Sequence, residues 1–460
     1  MNLVFLRSAT GQTILSTILA AILLLPALAL HQFNLAVAAV LVCSLAFLLF
    51  SHPLYALIAY VMLIPLEELA VFSALGTPTR LAGILFFATY LFHRRFQINL
   101  KVMPVAAWLW LVWVTASLIW SPILKWDFYF QTVQLFIATL LIADYVSRFP
   151  EKIGTIVNGY TISSAVIACF GIYNFFTFAG SSDRLSFESR VSGIEGQGVE
   201  TFAFSLIPAL LTAFHRIIHS THRKWLWLNV TLVLLFSLGI ILSGTRGAWV
   251  ATAGTILIVY LPRLKLRQYL MLATIALLGT YIALRMPLVA DFIQFRSQDT
   301  ISSGGAGRIG IWKVSWQMVQ NNPLIGIGWR MAEYQMTFQD FERVRSNIIW
   351  DFDSGRFKPR VTHNIYLQTL LELGIVGLVL FLAWILPLLL TREDAFYVQV
   401  LALAIFIAML IGGITNPEFH KKYYWLALGL VQGCYYFLKQ QKVITGPHEN
   451  HANTPYTKLR

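Results

Sequence analysis

Long apolar runs recur along this chain, each closed by a short polar or basic cluster, until one polar interval interrupts them. Such a run at 1.5 Å rise per residue crosses a ~30 Å hydrocarbon layer, which separates it from an ordinary buried helix. Spans read at 12–30, 34–50, 53–65, 79–93, 103–120, 128–147, 153–178, 199–215, 226–242, 247–261 and 268–285, and after the interval at 365–390, 395–414 and 421–438. The pattern predicts an all-α polytopic membrane protein with about 12–14 transmembrane helices. The run ending ALALHQ weakly resembles a signal-peptidase site, but another apolar run follows at once, so an uncleaved helix is expected.

The interruption covers residues 286–364 and divides the chain into a scaffold at 1–225, a core at 226–390, further helices at 391–438 and a polar tail at 439–460. Within it Ile309, Trp312, Val314 or Ser315, Trp316 and Val319 recur at helical spacing. They predict a short amphipathic helix whose Trp-bearing face lies on the membrane or on other helices. Asn321-Asn322-Pro323 stops it, and Gly326-Ile327-Gly328 makes a turn. So long a polar stretch in a compact protein is usually functional.

Composition sharpens this picture. The chain is 57% hydrophobic and only 12% charged, with a mean hydropathy of +0.68, which excludes an ordinary soluble domain. A net charge of +13 would suit nucleic acid, but the Lys and Arg residues sit in clusters between apolar runs, where they orient helices. The clusters at 93–101, 215–224 and 262–268, with Arg7, Arg148, Lys152, Arg392 and Lys439, fall on one side when spans are counted. That side is expected to be cytoplasmic and the 286–364 interval to lie opposite it. Cys43, Cys169 and Cys434 lie in apolar segments without paired spacing and read as small core residues.

Three basic residues on the outward side carry candidate chemistry. Arg246 stands in SGTRGAW between two apolar runs, where a guanidinium needs a partner and presents a fork suited to phosphate oxygens. Arg308 follows SSGGAG, whose glycines allow close approach of an anion to a helix start. His363, in THN at the foot of the next helix, is an imidazole suited to accept a proton near neutral pH. Trp312, Asn364 and Arg360 are secondary candidates, Asp351 and Asp353 are competing bases, and Glu372 is expected to be a buried partner for an Arg. Trp329, Tyr334 and Trp350 offer faces for sugars or for packing, and Asp144 is the main charge inside a span. His215, His219 and His222 have metal-ligand spacing, but their basic surroundings favour lipid headgroups, and the D-x-D at 351–353 is too short to define a cation site.

SGTRGAW, R-x-x-x-W at Arg308–Trp312, NPLIGIGW at 322–329 and THNIYLQTLLELGIVGL at 362–378 together resemble the O-antigen ligase/polymerase superfamily, closely over roughly Leu226 to Leu390. The resemblance implies a GT-C-type glycosyltransferase of the bacterial inner membrane whose active site faces the periplasm, with no metal and no cofactor. It implies an undecaprenyl-diphosphate-linked glycan as donor and a lipid A–core sugar or another glycan as acceptor. Arg246 and Arg308 would bind the diphosphate and His363 would be the catalytic base. An O-antigen ligase is the leading reading, a polymerase joining lipid-linked repeat units its closest rival and a protein O-oligosaccharyltransferase the third, although motifs shared by all three do not rank acceptors. A lipid-linked-glycan transporter is the alternative from another class.

Overall fold

The computed structural model describes residues 50–67, 77–178, 191–192, 198–219, 223–266, 268–270, 274, 281, 285, 308–343, 350–351, 356–357, 361–390, 397–416 and 419–445. The expected span at 12–30, Arg360, Asp353, His222, Cys43, nearly all of 34–50 and most of 268–285 lie outside them. The helices are α1 (Pro53–Leu63), α2 (Pro78–His93), α3 (Val105–Ser117), α4 (Trp126–Arg148), α5 (Ile153–Phe178), α6 (Val199–His219), α7 (Arg223–Leu242) and α8 (Arg246–Thr255). Beyond the interval's start come α9 (Arg308–Asn321), α10 (Ala332–Gln335) and α11 (Phe338–Arg343). They are followed by α12 (Ile365–Ile385), α13 (Tyr397–Gly412) and α14 (Lys422–Thr445). The one strand pairing among the described residues is a two-residue antiparallel ladder, β1 (Trp350–Asp351) with β2 (Arg356–Phe357).

Five of these segments are long and apolar enough to cross a membrane: Trp126–Arg148, Pro150–Thr177, Val199–His219, Lys224–Leu242 and Ile365–Leu389. Pro53–Leu63, Val105–Ser117 and Gln399–Gly412 are apolar but shorter. Their boundaries follow local chemistry. Pro53 and Pro78 open α1 and α2 at positions that need no N–H donor, and the side chain of Thr77 caps α2. Asn364 caps α12 by accepting from the N–H groups of Tyr366 and Leu367, both at 3.0 Å. Pro208 lies inside α6, where the Thr212 hydroxyl donates to its carbonyl at 2.7 Å.

Trp110 of α3 is fully enclosed and organises an aromatic centre. Its ring meets Trp329 at 5.7 Å, Trp384 at 5.8 Å, Phe419 at 5.8 Å and Trp425 at 6.3 Å between centroids, tying α3, α12 and α14 to the chain after α9. Trp329 is therefore a core residue, and of the two readings, a face for sugars or for packing, it is the packing one that holds. Its indole N–H donates to the Thr132 hydroxyl at 3.2 Å, which satisfies the one polar atom that packing would otherwise strand.

The polar interval builds a small core of its own. Ile311, Val314 and Val319 of α9 pack with Ile327, Met331, Met336 and Phe341 against Leu371 of α12. The expected helix is present, and of its expected face Val314, Ser315 and Val319 are buried with Ile311, while Ile309 and Trp316 are about half exposed, at 53% and 52%. The spacing fits both faces, and docking on α12 selects the narrower aliphatic one.

That docking exploits a break in α12. Gly374 adopts φ 67° and ψ −171°, which interrupts the ladder inside the helix. The N–H groups of Ile327 and Gly328 donate to the freed carbonyls of Leu371 and Glu372 at 3.0 and 2.9 Å, and Trp113 donates to that of Leu373 at 2.9 Å. In return the N–H of Ile375 donates to Pro323 at 2.9 Å. The NPLIGIGW turn and the LELGIVG helix are thus two halves of one joint. Glu372 is buried beside it, accepting from Gln368 at 3.1 Å, with Arg330 the cation that faces it, as the expected Arg partnership requires.

Two further expectations change. His215 is fully buried and contacts the Tyr260 hydroxyl at 3.3 Å, which removes it from any lipid headgroup. Cys434 is buried as expected, whereas Cys169 is exposed on α5. Asp144 is buried but satisfied, accepting from Arg148 at 3.0 Å and from the Tyr90 hydroxyl at 2.8 Å. A charge so paired is part of the scaffold.

Candidate active site

The sequence TH-N folds into a tight turn before α12. The Thr362 hydroxyl donates to the Asn364 carbonyl at 2.9 Å and accepts from the Asn364 N–H at 3.3 Å. The residue between them, His363, is held at φ 51°, a left-handed conformation that is uncommon for non-glycine residues and marks functional sites. Trp312 of α9 fixes the turn from outside, its indole N–H donating to the Thr362 carbonyl at 2.8 Å. Trp312 and Asn364, expected as secondary site residues, hold the turn and cap the helix. The described contacts bring neither into the charged cluster itself.

Arg308, the first residue of α9, places its guanidinium 2.8 Å from the Glu200 carboxylate in the first turn of α6. The other oxygen of the same carboxylate lies 3.7 Å from Nδ1 of His363. Arg308 and His363, far apart in the chain, thus converge on one acid. All three side chains keep between 21% and 25% exposure, so a substrate has access. Nδ1 of His363 is itself enclosed and has no hydrogen-bond partner among the described residues. An enclosed polar atom left in this way costs about 1–3 kcal/mol.

Arg246 is the first residue of α8 and is half-buried. Backbone packing brings its helix start to the same place. A side chain at Gly247 would lie 2.0 Å from the Thr415 hydroxyl and 3.4 Å from Phe204, one turn along α6 from Glu200. The N–H of Ile365, two residues after His363, donates to Gly413 at 2.7 Å. The starts of α6, α8 and α12 therefore meet around the chain leaving α13, and the partial positive charge of helix N-termini adds to that of the arginines.

Glu200 escaped the sequence reading. Its signal was present, as the lone acid opening the apolar run of α6. Nothing local, however, marks an acid as the partner of residues so distant.

Beside this cluster a cleft runs between the first turns of α4 and α12, lined by Phe128, Gln131, Thr132, Arg330, Gln368 and His420 among others. Arg330 sits at φ 60° with its guanidinium 4.4 Å from the centre of the Phe128 ring. Burial, reinforced by Arg330, Lys421 and Lys422, pushes the His420 imidazole well below its ordinary range. The unfolded chain takes up this proton near pH 6.5 and the folded chain resists it, so stability falls as the pH drops below about 6.5. The melting temperature in detergent is expected to decrease between pH 7.5 and 5.5, and His420→Gln should reduce that decrease. An equal decrease in the variant would remove His420 from the account.

Five membrane-length helices among the described residues define a multi-pass membrane protein. Residues 231–382, a third of the 460-residue chain, match the family model described as O-antigen ligase, Wzy_C, and this stretch is similar to that family. The match contains Arg246, Arg308 and His363 and excludes Glu200. No curated protein and no solved structure matches the chain.

Proposed function

We propose that this protein is an inverting, metal-independent glycosyltransferase of the inner membrane. It moves a glycan from undecaprenyl diphosphate to a sugar hydroxyl of lipid A–core at the periplasmic face. The observation that carries this reading is the convergence of Arg308 and His363 on Glu200, inside a fold whose core matches the O-antigen ligase family.

In this reaction the acceptor oxygen attacks the anomeric carbon from the face opposite the diphosphate. The C–O bond to the leaving group breaks, and the acceptor proton passes to His363. A sugar hydroxyl is far less acidic than an imidazolium, so proton transfer accompanies attack. The departing lipid diphosphate gains negative charge, and Arg246 and Arg308 stabilise it as it develops. The apolar helices hold the polyprenyl chain in the bilayer.

A deletion strain examined by lipopolysaccharide and lipid-linked-glycan gels tests the reading. Loss of a ligase leaves long glycan on the lipid carrier and bare lipid A–core. Single repeats attached to core would instead assign the same chemistry to a polymerase. Unchanged profiles would remove both. Arg246→Lys and Arg308→Lys each replace a planar fork by a point charge, and each should lower the transfer rate roughly tenfold or more. Wild-type rates in both would end the diphosphate assignment.

A further inference from the structure

We propose that Glu200 is a positioning residue that is handed from Arg308 to His363 when the donor's diphosphate binds. The inference rests on the function proposed above and adds a residue outside the family match. One carboxylate faces both groups, but unequally: 2.8 Å to Arg308 is a full ion pair, whereas 3.7 Å to Nδ1 of His363 is beyond hydrogen-bond range. Nδ1 is enclosed and unpartnered among the described residues, so a shift of under one ångström by Glu200 would give it an acceptor.

The incoming ligand supplies the reason for that shift. A diphosphate carries more charge than a carboxylate and matches the guanidinium fork, so it displaces Glu200 from Arg308. Glu200 then accepts a hydrogen bond from Nδ1–H. This fixes the imidazole tautomer and leaves Nε2 as the atom that takes the acceptor's proton. The turn from Thr362 to Asn364 fixes the backbone from which the ring projects. Donor binding and orientation of the base thus become one event, since a single acid serves both.

The handover predicts opposite effects on binding and turnover in Glu200→Gln, an isosteric change that keeps an acceptor for Nδ1–H and removes the competitor for Arg308. With the full-length protein in detergent, undecaprenyl diphosphate is the binding probe and transfer to purified lipid A–core is the rate assay. Affinity for the probe should be retained or rise severalfold, while kcat falls about tenfold or more. Glu200→Asp, which keeps the charge on a shorter arm, should recover part of kcat. If Glu200 is only a structural brace, probe binding and kcat will fall together, and that result overturns the proposal. Wild-type kcat in Glu200→Gln overturns it as well, leaving the function intact. A wild-type protein that binds no undecaprenyl diphosphate and transfers nothing overturns the function and the handover together.

Discussion

His363→Ala and His363→Asn are expected to abolish glycan transfer, by about a thousandfold, while the protein still inserts and folds. The physical argument has two parts. A general base is worth roughly 10²–10⁴ in rate, and among the described residues His363 is the imidazole beside Arg308 and Glu200. Its backbone is held at φ 51° by neighbours rather than by its own ring, since Thr362, Asn364 and Trp312 supply the turn's hydrogen bonds. Asparagine tolerates that conformation well, so His363→Asn separates chemistry from folding. Thermal melting of both variants near the wild-type temperature, with transfer lost, is the expected pair of results. Transfer within tenfold of wild type in either variant would move the base elsewhere.

The second large effect is on folding. Gly374→Ala should destabilise the protein by about 3 kcal/mol or more, from the left-handed backbone and a backbone clash together. Its φ of 67° disfavours any side chain, and a Cβ there would lie 2.1 Å from the Leu324 carbonyl oxygen. Because the clash is with backbone, no rotamer change relieves it. The loss should appear as reduced yield of monodisperse protein and a lowered melting temperature, with residual activity in proportion to folded protein. Gly154→Ala, at a position where an added Cβ meets nothing within 4 Å, is the matched control. If both variants melt alike, the joint between the NPLIGIGW turn and α12 contributes little.

Hydropathy alone located most helices to within a few residues, because chain length across a bilayer is a local property. The span read at 153–178 is the helix Ile153–Phe178, and Arg308 does open the interval's helix. Arg246 and His363 were legible because charged or titratable groups at the edges of apolar runs need a reason to be there. Three kinds of information were not local. The buried face of α9 depended on what it docks against, and periodicity alone did not separate Val314 and Val319, which are buried, from Trp316, which is half exposed. Whether Trp329 faced sugars or packed depended on Trp110, which lies beside it only in the folded chain. Glu200 drew its meaning from two residues far along the chain, one on α9 and one before α12.

The joint at Gly374 and the bond from Trp312 to Thr362 also bear on where this chain can change in length. Between them they pin both ends of the segment that runs from Arg330 to Val361. A loop with fixed ends pays closure entropy only logarithmically in its length, about 0.6 kcal/mol for each doubling. Met331, Met336 and Phe341 belong to the small core on α12, so an insertion among them would disturb it, and a single residue added between Pro323 and Trp329 would unseat the joint. Within this part of the chain, length is added at low cost only outside both.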